Sequence, residues 1–461
     1  MTMKPMTLTQ AAQAVGGTLI GGGGETLIRQ VVMDSRQDVE GALFVAIRGT
    51  RADGHDFVAN VRSRGAVCCL VEQETDASGP YILVDSTLRA VRDLAAYYRR
   101  LFDIPIIGIT GSVGKTSTKE MIATVLGENY RVHKTVGNLN NELGVPMTLL
   151  GLRDTHQVAV IEMGISDFGE MTRLTEMVRP TIAIITIIGY AHLDNLGDRA
   201  GVYKAKTEIF HGLVQGGVAL VNGDDDMLYP MHLTDIAPDK TSATKLLYGL
   251  EAQNDYRATD IETRGESGTT CTLHLAGGPL PATISAFGLP FVYAALAAAV
   301  VGERLGMTAE EISRGIAAFQ TVAGRANVIQ TGCFTIIDDC YNANPSSVRA
   351  SLTSLAGLRG RRVAVLGDMA DLGPSVATLH SEIGAHAAQS GIDCLIAVGE
   401  MSQHTYRGAK AANPSLIAWY FPNKEEALTT LPALLEQGDQ VLVKASRSGR
   451  FEEVVAALRD L

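Results

Sequence analysis

The run Ile109-Thr110-Gly111-Ser112-Val113-Gly114-Lys115-Thr116-Ser117 constrains this chain more than any other stretch. It follows the apolar run Ile104-Pro105-Ile106-Ile107-Gly108, which reads as a buried strand. It precedes Thr118-Lys119-Glu120-Met121-Ile122-Ala123, which reads as a helix start. A strand, a glycine turn, Gly-Lys-Thr and a helix make a cradle for phosphate. Glycines let backbone N–H groups converge on phosphate oxygens, and the helix N-terminus adds partial positive charge. Lys115 would then reach the β- and γ-phosphates, and the Thr116 hydroxyl would ligate Mg²⁺. The expected ligand is ATP, held by Gly111, Ser112, Val113, Gly114, Lys115, Thr116 and Ser117. The loop is short: the general pattern places a glycine where Ile109 stands. The alternative is a plain Gly-rich turn.

With 461 residues the chain has room for about three domains. Its net charge of −11 and 5% aromatic content argue against a nucleic-acid partner. An anionic ligand must therefore be held by local cations rather than by long-range attraction. The six cysteines, Cys68, Cys69, Cys271, Cys333, Cys340 and Cys394, form no C-x-x-C pair, and no His lies at zinc spacing. Reduced thiols in a soluble cytoplasmic protein are the expectation. The opening Met1-Thr2-Met3-Lys4-Pro5 has no signal-peptide apolar stretch, and runs such as Ile182 to Ile188 are too short to span a membrane.

Three α/β units are expected. Residues 1–86 carry short strands at Val31-Val32-Met33, Ala42 to Ala46, Ala66 to Val71 and Tyr81 to Val84, with a helix from Phe57 to Arg64. Residues 87–322 open with a helix from Leu88 to Leu101. Strands Val158 to Ile161, Ile182 to Ile188 and Val218 to Val221 then alternate with helices, and the Ala-rich stretch Tyr293 to Val301 closes the unit. Such alternation predicts a mostly parallel sheet around the phosphate loop, with helices on both faces. Residues 323–461 restart the pattern with strands at Phe334 to Asp338, Arg362 to Leu366, Cys394 to Val398 and Gln440 to Val443. This last unit is Rossmann-like but lacks the dinucleotide fingerprint, so NAD is not expected.

Ligands of open α/β sheets bind at the carboxyl ends of strands. That rule selects Glu162 and His192, beyond the strands Val158 to Ile161 and Ile182 to Ile188, as magnesium ligands beside the loop. Taken alone, Lys206 on its helix reads as a solvated lysine. Arg325, after Gly324 at the unit boundary, either reaches the γ-phosphate or forms an interdomain salt bridge.

The loop Thr110 to Ser117 resembles the short phosphate loop of the Mur ligases, the ATP-dependent amide ligases of peptidoglycan precursor synthesis. Further motifs agree in order: Asn138-Leu139-Asn140-Asn141-Glu142-Leu143-Gly144-Val145-Pro146, Glu162-Met163-Gly164, His192-Leu193, Lys206-Thr207-Glu208, Asn222-Gly223-Asp224 and Gly324-Arg325. Asp338-Asp339-Cys340-Tyr341-Asn342-Ala343-Asn344-Pro345 resembles the D-Y-N-A-N-P signature of the branch that adds a dipeptide. Gly367-Asp368-Met369-Ala370-Asp371-Leu372-Gly373 with His380 is similar to G-D-M-x-E-L-G…H, and Lys444-Ala445-Ser446-Arg447 to K-G-S-R. Asp34-Ser35-Arg36 and Asp53-Gly54-His55 resemble the uridine-nucleotide module.

The resemblance implies a monomeric enzyme that takes UDP-N-acetylmuramoyl-tripeptide, D-alanyl-D-alanine and ATP with Mg²⁺. The unit 1–86 would bind the uridine substrate, 87–322 ATP, and 323–461 the dipeptide. Lys115, Glu162, His192, Lys206 and Arg325 would be catalytic, with Thr116, Glu162, His192 and Lys206 at the metals. Lys206 aligns with a lysine that relatives carbamylate. Arg325 and Asp339 would contact the nucleotide. Ser35 and Arg36 would face the uridine end, and Asn140 and Asn141 the muramyl-peptide. Tyr341, Asn342, Asn344, Lys444, Ser446 and Arg447 would line the dipeptide side.

One stretch departs from the family pattern. Where relatives carry G-x-H-N-x-x-N-A, this chain has Gly288-Leu289-Pro290-Phe291-Val292-Tyr293-Ala294-Ala295. Pro290, Phe291 and Ala294 replace groups that hold adenosine; Phe291 either stacks on adenine or packs in the core. A folylpolyglutamate synthetase, a different Mur ligase and a non-catalytic nucleotide-binding homologue are the alternatives. The uridine module argues against the first, and Tyr341 to Pro345 against the second.

Overall fold

Three main sheets carry the described residues, built from strands of three to eight residues. The computed structural model describes residues 3–50, 52–75, 79–265 and 268–461. Met1 and Thr2 of the opening segment lie outside them. Among the described residues, no helix is long and apolar enough to cross a membrane, and all six cysteines are free.

The first sheet runs in the order Thr18–Ile20, Tyr81–Leu83, Cys68–Val71, Ala42–Val45, Gln30–Val32. All pairs are parallel except the first. The expected Phe57 to Arg64 helix is Val58–Ser63, entered through a 3₁₀ turn, Gly54–Phe57. The helix Thr87–Arg99 leads into the central unit. Its buried Tyr98 hydroxyl donates to the Leu152 carbonyl (2.7 Å) and accepts from the Lys4 amide (2.7 Å), tying the amino-terminal segment to the central unit.

The central sheet has nine strands. From one edge they are Val132–Lys134, Val158–Glu162, Ile106–Thr110, Ile182–Ile185, Val218–Asn222, Thr244–Gly249, Tyr256–Thr263, Thr269–Leu275 and Gly278–Ile284. The first seven are parallel, and the last two are antiparallel additions. Successive residues of a strand point to opposite faces. Ile107 and Ile109 therefore join Met121, Ile122 and Leu220 in one core, while Ile106, Ile161 and Ile185 join Leu174 and Val202 in the other. Helices cover both faces, as expected.

Four boundaries differ from the sequence reading. The phosphate strand is Ile106–Thr110 rather than Ile104 to Gly108, and the helix begins at Lys115 rather than Thr118. Gly114, at φ +85°, turns the chain directly into the helix, and the Thr118 amide already donates to the Gly114 carbonyl (2.9 Å). The strand expected to reach Ile188 stops at Ile185, because Thr186 turns its hydroxyl onto the Val113 carbonyl (2.5 Å). The strands from Thr244 to Ile284 were not read from the sequence.

The expected closing helix is longer, Leu289–Arg304, with nearly every side chain after Tyr293 buried. Its alanines let it lie close against the phosphate helix. Phe291 packs against Phe319 with ring centroids 5.8 Å apart and is 3% exposed. It is a core residue, which excludes adenine stacking in this arrangement. Phe291→Ala should cost about 3–5 kcal/mol of stability, read by denaturant titration. Phe291→Leu, which keeps the apolar fill, should leave the KM for ATP within about twofold, an energy change of only a few tenths of a kcal/mol.

The carboxyl-terminal sheet runs Asn327–Gln330, Thr335–Asp338, Gln440–Lys444, Arg362–Gly367, Cys394–Val398, Ile417–Phe421, parallel except for its first strand. The edge strands at either end were not read from the sequence.

Candidate active site

The glycines of the phosphate loop are required by its shape. Gly111 sits at φ +146°, and a Cβ there would collide with the Thr186 hydroxyl. The loop is pinned from the neighbouring strand end: the Ser112 amide donates to the Ile187 carbonyl (2.9 Å), and the Ser112 hydroxyl exchanges hydrogen bonds with Gly189. Lys115, at the first position of the helix, donates to the Gly111 carbonyl (2.7 Å). Ser117 lies in the same first turn. Burial pulls the Lys115 pKa down; Glu162 opposes the shift and Arg325 adds to it.

Glu162 ends its strand directly opposite Thr116. Its Oε1 accepts from the Thr116 hydroxyl (3.3 Å) and from Asn140 Nδ2 (2.8 Å). Its Oε2 is buried and, among the described residues, has no hydrogen-bond partner. Lys119, one turn along the phosphate helix and fully buried, places its Nζ 3.8 Å from that oxygen while donating to the Thr135 carbonyl (2.8 Å). Sequence reasoning missed Lys119. The available signal was a lysine beside the apolar pair Met121-Ile122 on the helix that carries Thr116.

His192 stands in the left-handed region at φ +54°. Residues held in such conformations cost about 1–3 kcal/mol and mark sites where surrounding structure fixes them. Burial lowers its pKa to about 4, with Lys206 and Lys115 adding repulsion. Its ring is therefore neutral near pH 7, the form that can ligate a metal. Lys206, on the helix Arg199–Thr207, is 1% exposed. Burial, and then Lys115, pull its pKa well below the usual lysine value. Among the described residues none forms a hydrogen bond or ion pair with its amine. No group of three or more His, Cys, Asp or Glu side chains with metal-site geometry occurs among the described residues. The orphaned Glu162 oxygen, the Thr116 hydroxyl and the neutral His192 ring nonetheless suit a hard cation that also takes ligands from phosphate.

The carboxyl-terminal unit closes on this place. Arg325 Nη2 lies 3.3 Å from the Thr116 hydroxyl, and its guanidinium carbon is 3.9 Å from the Tyr341 ring centroid. Among the described residues no carboxylate pairs with Arg325, so of the two sequence alternatives the interdomain salt bridge is not formed. The Leu193 amide donates to the Asp371 carbonyl (3.0 Å), and His192 Nδ1 is 3.8 Å from the Asp371 carboxylate. Ser346, in the first turn of the helix Pro345–Ala356, abuts Gly189. A Cβ on Gly189 would clash with the Ser346 hydroxyl, would sit 2.9 Å from Ser346 Cβ and only 3.4 Å from Ser112 Cβ. Gly189→Ala should therefore fold normally yet hinder closure, lowering kcat about tenfold, roughly 1.4 kcal/mol. Ser346→Gly in the same chain should restore most of that loss in steady-state assays.

Other expected contacts lie elsewhere. Asp339 is engaged within its own unit: its carboxylate takes Lys444 Nζ (2.5 Å), the Ser351 hydroxyl (2.6 Å) and the Ala326 amide (3.1 Å). Lys444 is buried in that pair and also donates to the Asn342 carbonyl (3.2 Å). The Ser446 hydroxyl bridges the Ala370 amide and the Ala343 carbonyl. Asn344 caps the helix Pro345–Ala356 through the Ser347 amide, and Asn141 Oδ1 accepts from the Leu143 (3.2 Å) and Gly144 (2.9 Å) amides just ahead of the helix Gly144–Leu150. Lys444 and Ser446 are thus engaged within their own unit, whereas the Nδ2 donors of Asn344 and Asn141 have no hydrogen-bond partner among the described residues. Tyr341 is under Arg325, while Asn342 and Arg447 are exposed on the cleft side of the unit. Ser35 and Arg36 lie on the amino-terminal unit, where Arg36 pairs with Asp34 (2.7 Å).

Matches to known families follow the same three units. Residues 27–99 match the Mur ligase family, catalytic domain; 109–302 the Mur ligase middle domain; and 324–447 the Mur ligase, glutamate ligase domain. The chain belongs to the Mur ligase family. A UDP-N-acetylmuramoyl-tripeptide–D-alanyl-D-alanine ligase of Bacillus subtilis (strain 168) is 35% identical over 99% of both chains. One from Escherichia coli (strain K12) is also 35% identical, over 99% of both. The crystal structure of MurF from Acinetobacter baumannii superposes with a TM-score of 0.92 at 34% identity, covering all of both chains. MurF ligase from Thermotoga maritima in complex with ADP superposes at 0.83 with 27% identity, covering 94% of this chain and 97% of that one. This Mur ligase thus shares its architecture with a relative solved in complex with ADP.

Proposed function

We propose that this Mur ligase is an ATP-dependent enzyme that joins D-alanyl-D-alanine to UDP-N-acetylmuramoyl-tripeptide through an acyl phosphate, releasing ADP and phosphate. The observation that carries the reading is the convergence of Lys115, Thr116, Glu162 and Arg325 from two units on one point, in a chain 35% identical end to end with ligases of that name. The units 1–86, 87–322 and 323–461 would respectively hold the uridine substrate, ATP and the dipeptide. The enzyme would act as a cytoplasmic monomer.

Making an amide from a carboxylate requires an activated acyl group. ATP would phosphorylate the terminal carboxylate of the tripeptide, and the dipeptide amine would then attack and expel phosphate. The loop amides and Lys115 would hold the phosphates, and Arg325 would neutralise charge on the transferring group. Thr116, Glu162 and His192 would hold magnesium, with Lys206 after carbamylation; the metal would supply Lewis-acid charge neutralisation. Asn140 would orient Glu162 and face the muramyl-peptide. The exposed Asn342 and Arg447 would meet the dipeptide, and Ser35 and Arg36 the uridine end. Closure of the cleft would keep water from the acyl phosphate.

Phosphate release from ATP should require both UDP-N-acetylmuramoyl-tripeptide and D-alanyl-D-alanine. Turnover with neither substrate pair would replace this reading with a nucleotide-binding role.

A further inference from the structure

We propose that Tyr341 is a positioning residue that acts through Arg325: its ring seats the guanidinium across the interdomain cleft, in place of the direct dipeptide contact its motif suggests. The inference rests on the reading of the site as one that transfers a phosphoryl group. Arg325 has five N–H donors. Among the described residues the guanidinium makes one hydrogen bond, Nη2 to the Thr116 hydroxyl at 3.3 Å. A carboxylate partner would fix the guanidinium by occupying the edge that carries those donors. An aromatic face fixes the plane of the group and leaves the edge free. The 3.9 Å stack on Tyr341 does this.

The seat is built on both sides of Arg325. The Gly324 amide donates to Asp338 Oδ2 (2.8 Å), and the Ala326 amide donates to Asp339 Oδ1 (3.1 Å). The two consecutive carboxylates therefore clamp the peptide groups flanking the arginine. The Tyr341 amide donates to the Gly324 carbonyl (3.1 Å), which locks ring and arginine into one turn. Gly324 is at φ +75°, and a Cβ there would sit 3.1 Å from Tyr341 Cβ, so this approach requires glycine. Lys444 and Ser351 hold Asp339 in turn. Arg447 approaches the same ring at 5.6 Å, with its side chain 66% exposed. The ring thus sits between the phosphate side and the face open to the second substrate.

The test compares Tyr341→Phe with Tyr341→Leu in steady-state ligation with UDP-N-acetylmuramoyl-tripeptide and D-alanyl-D-alanine. Tyr341→Phe keeps the ring face and should stay within about threefold of wild type in kcat. Tyr341→Leu should lose about tenfold in kcat, with the KM for D-alanyl-D-alanine within about threefold. In an Arg325→Ala background, Tyr341→Leu should add almost nothing, since the ring acts through the arginine. A second measurement, equilibrium binding of ADP and of an ATP analogue with a methylene between the β- and γ-phosphorus, needs no turnover. Tyr341→Leu should weaken the preference for the analogue over ADP by about tenfold, and Tyr341→Phe should not. A raised dipeptide KM at unchanged kcat, additive losses in the double variant, or equal losses in Phe and Leu would each overturn the proposal. Absence of turnover in the wild type would instead refute the ligase reading, and the binding measurement would still decide the role of Tyr341.

Discussion

Lys115→Ala should lower ligation about 10³-fold, the scale of removing a charge donor preorganised for the transition state. The lysine begins the helix that Gly114 turns into, so its amine returns over the loop to the Gly111 carbonyl. A phosphate entering the loop would take over that hydrogen bond. The loop amides would still hold nucleotide in the variant, so kcat should fall further than affinity. Stability should not fall with it. Burial and Arg325 disfavour the Lys115 charge and outweigh the opposing pull of Glu162, so the charge itself adds no stability to lose. The measurement is ADP release with both peptide substrates present, beside a thermal melt. Normal ADP release from the variant would remove the loop from the chemistry.

The second large effect concerns Lys206. Its amine is buried, lacks a partner among the described residues and is repelled by Lys115. With the folded pKa depressed, the neutral amine forms more readily than on a solvated lysine, and a neutral amine is the nucleophile that adds carbon dioxide. The resulting carbamate would exchange a disfavoured positive charge for a negative one beside Lys115 and His192. Lys206→Ala should therefore lose about 10²–10⁴-fold in kcat, the range of a missing general catalytic group. Lys206→Arg should fail equally, because a guanidinium stays protonated and cannot form the carbamate. Wild-type activity should fall when bicarbonate is stripped from the buffer and return when it is restored. Activity of Lys206→Ala within tenfold of wild type would sink the assignment. The charge also sets a sign for stability. The unfolded lysine holds its proton to higher pH than the folded one, so the unfolded state binds more protons between the two pKa values. The unmodified Lys206 thus makes stability rise with pH across that window.

The phosphate loop was legible because its chemistry is local: two glycines, a lysine and a threonine within a few residues fix the turn. The strand-end rule selects Glu162 and His192 for a similar reason, since a parallel sheet delivers every carboxyl end to one edge. Lys119 escaped because a buried lysine on an apolar stripe is indistinguishable from a solvated one until the sheet is laid beneath it. Asn141, Asn344 and Ser446 have a structural part that the motifs do not announce. Each carries a short polar side chain in a motif, and each proves to bond a backbone amide nearby. Such residues satisfy helix ends as readily as ligands. Phe291 could be assigned only by seeing Phe319 against it.

By itself the sequence determined the phosphate cradle, the three α/β units and the family, because these depend on local backbone geometry, hydrophobic period and the order of motifs. The tertiary structure decided which polar groups remain free. Arg325 reaches Thr116, and Glu162 Oε2 and the Lys206 amine are buried without a hydrogen-bond partner among the described residues, only because distant segments meet there. Partnership and desolvation arise from that packing, and neither is written along the chain.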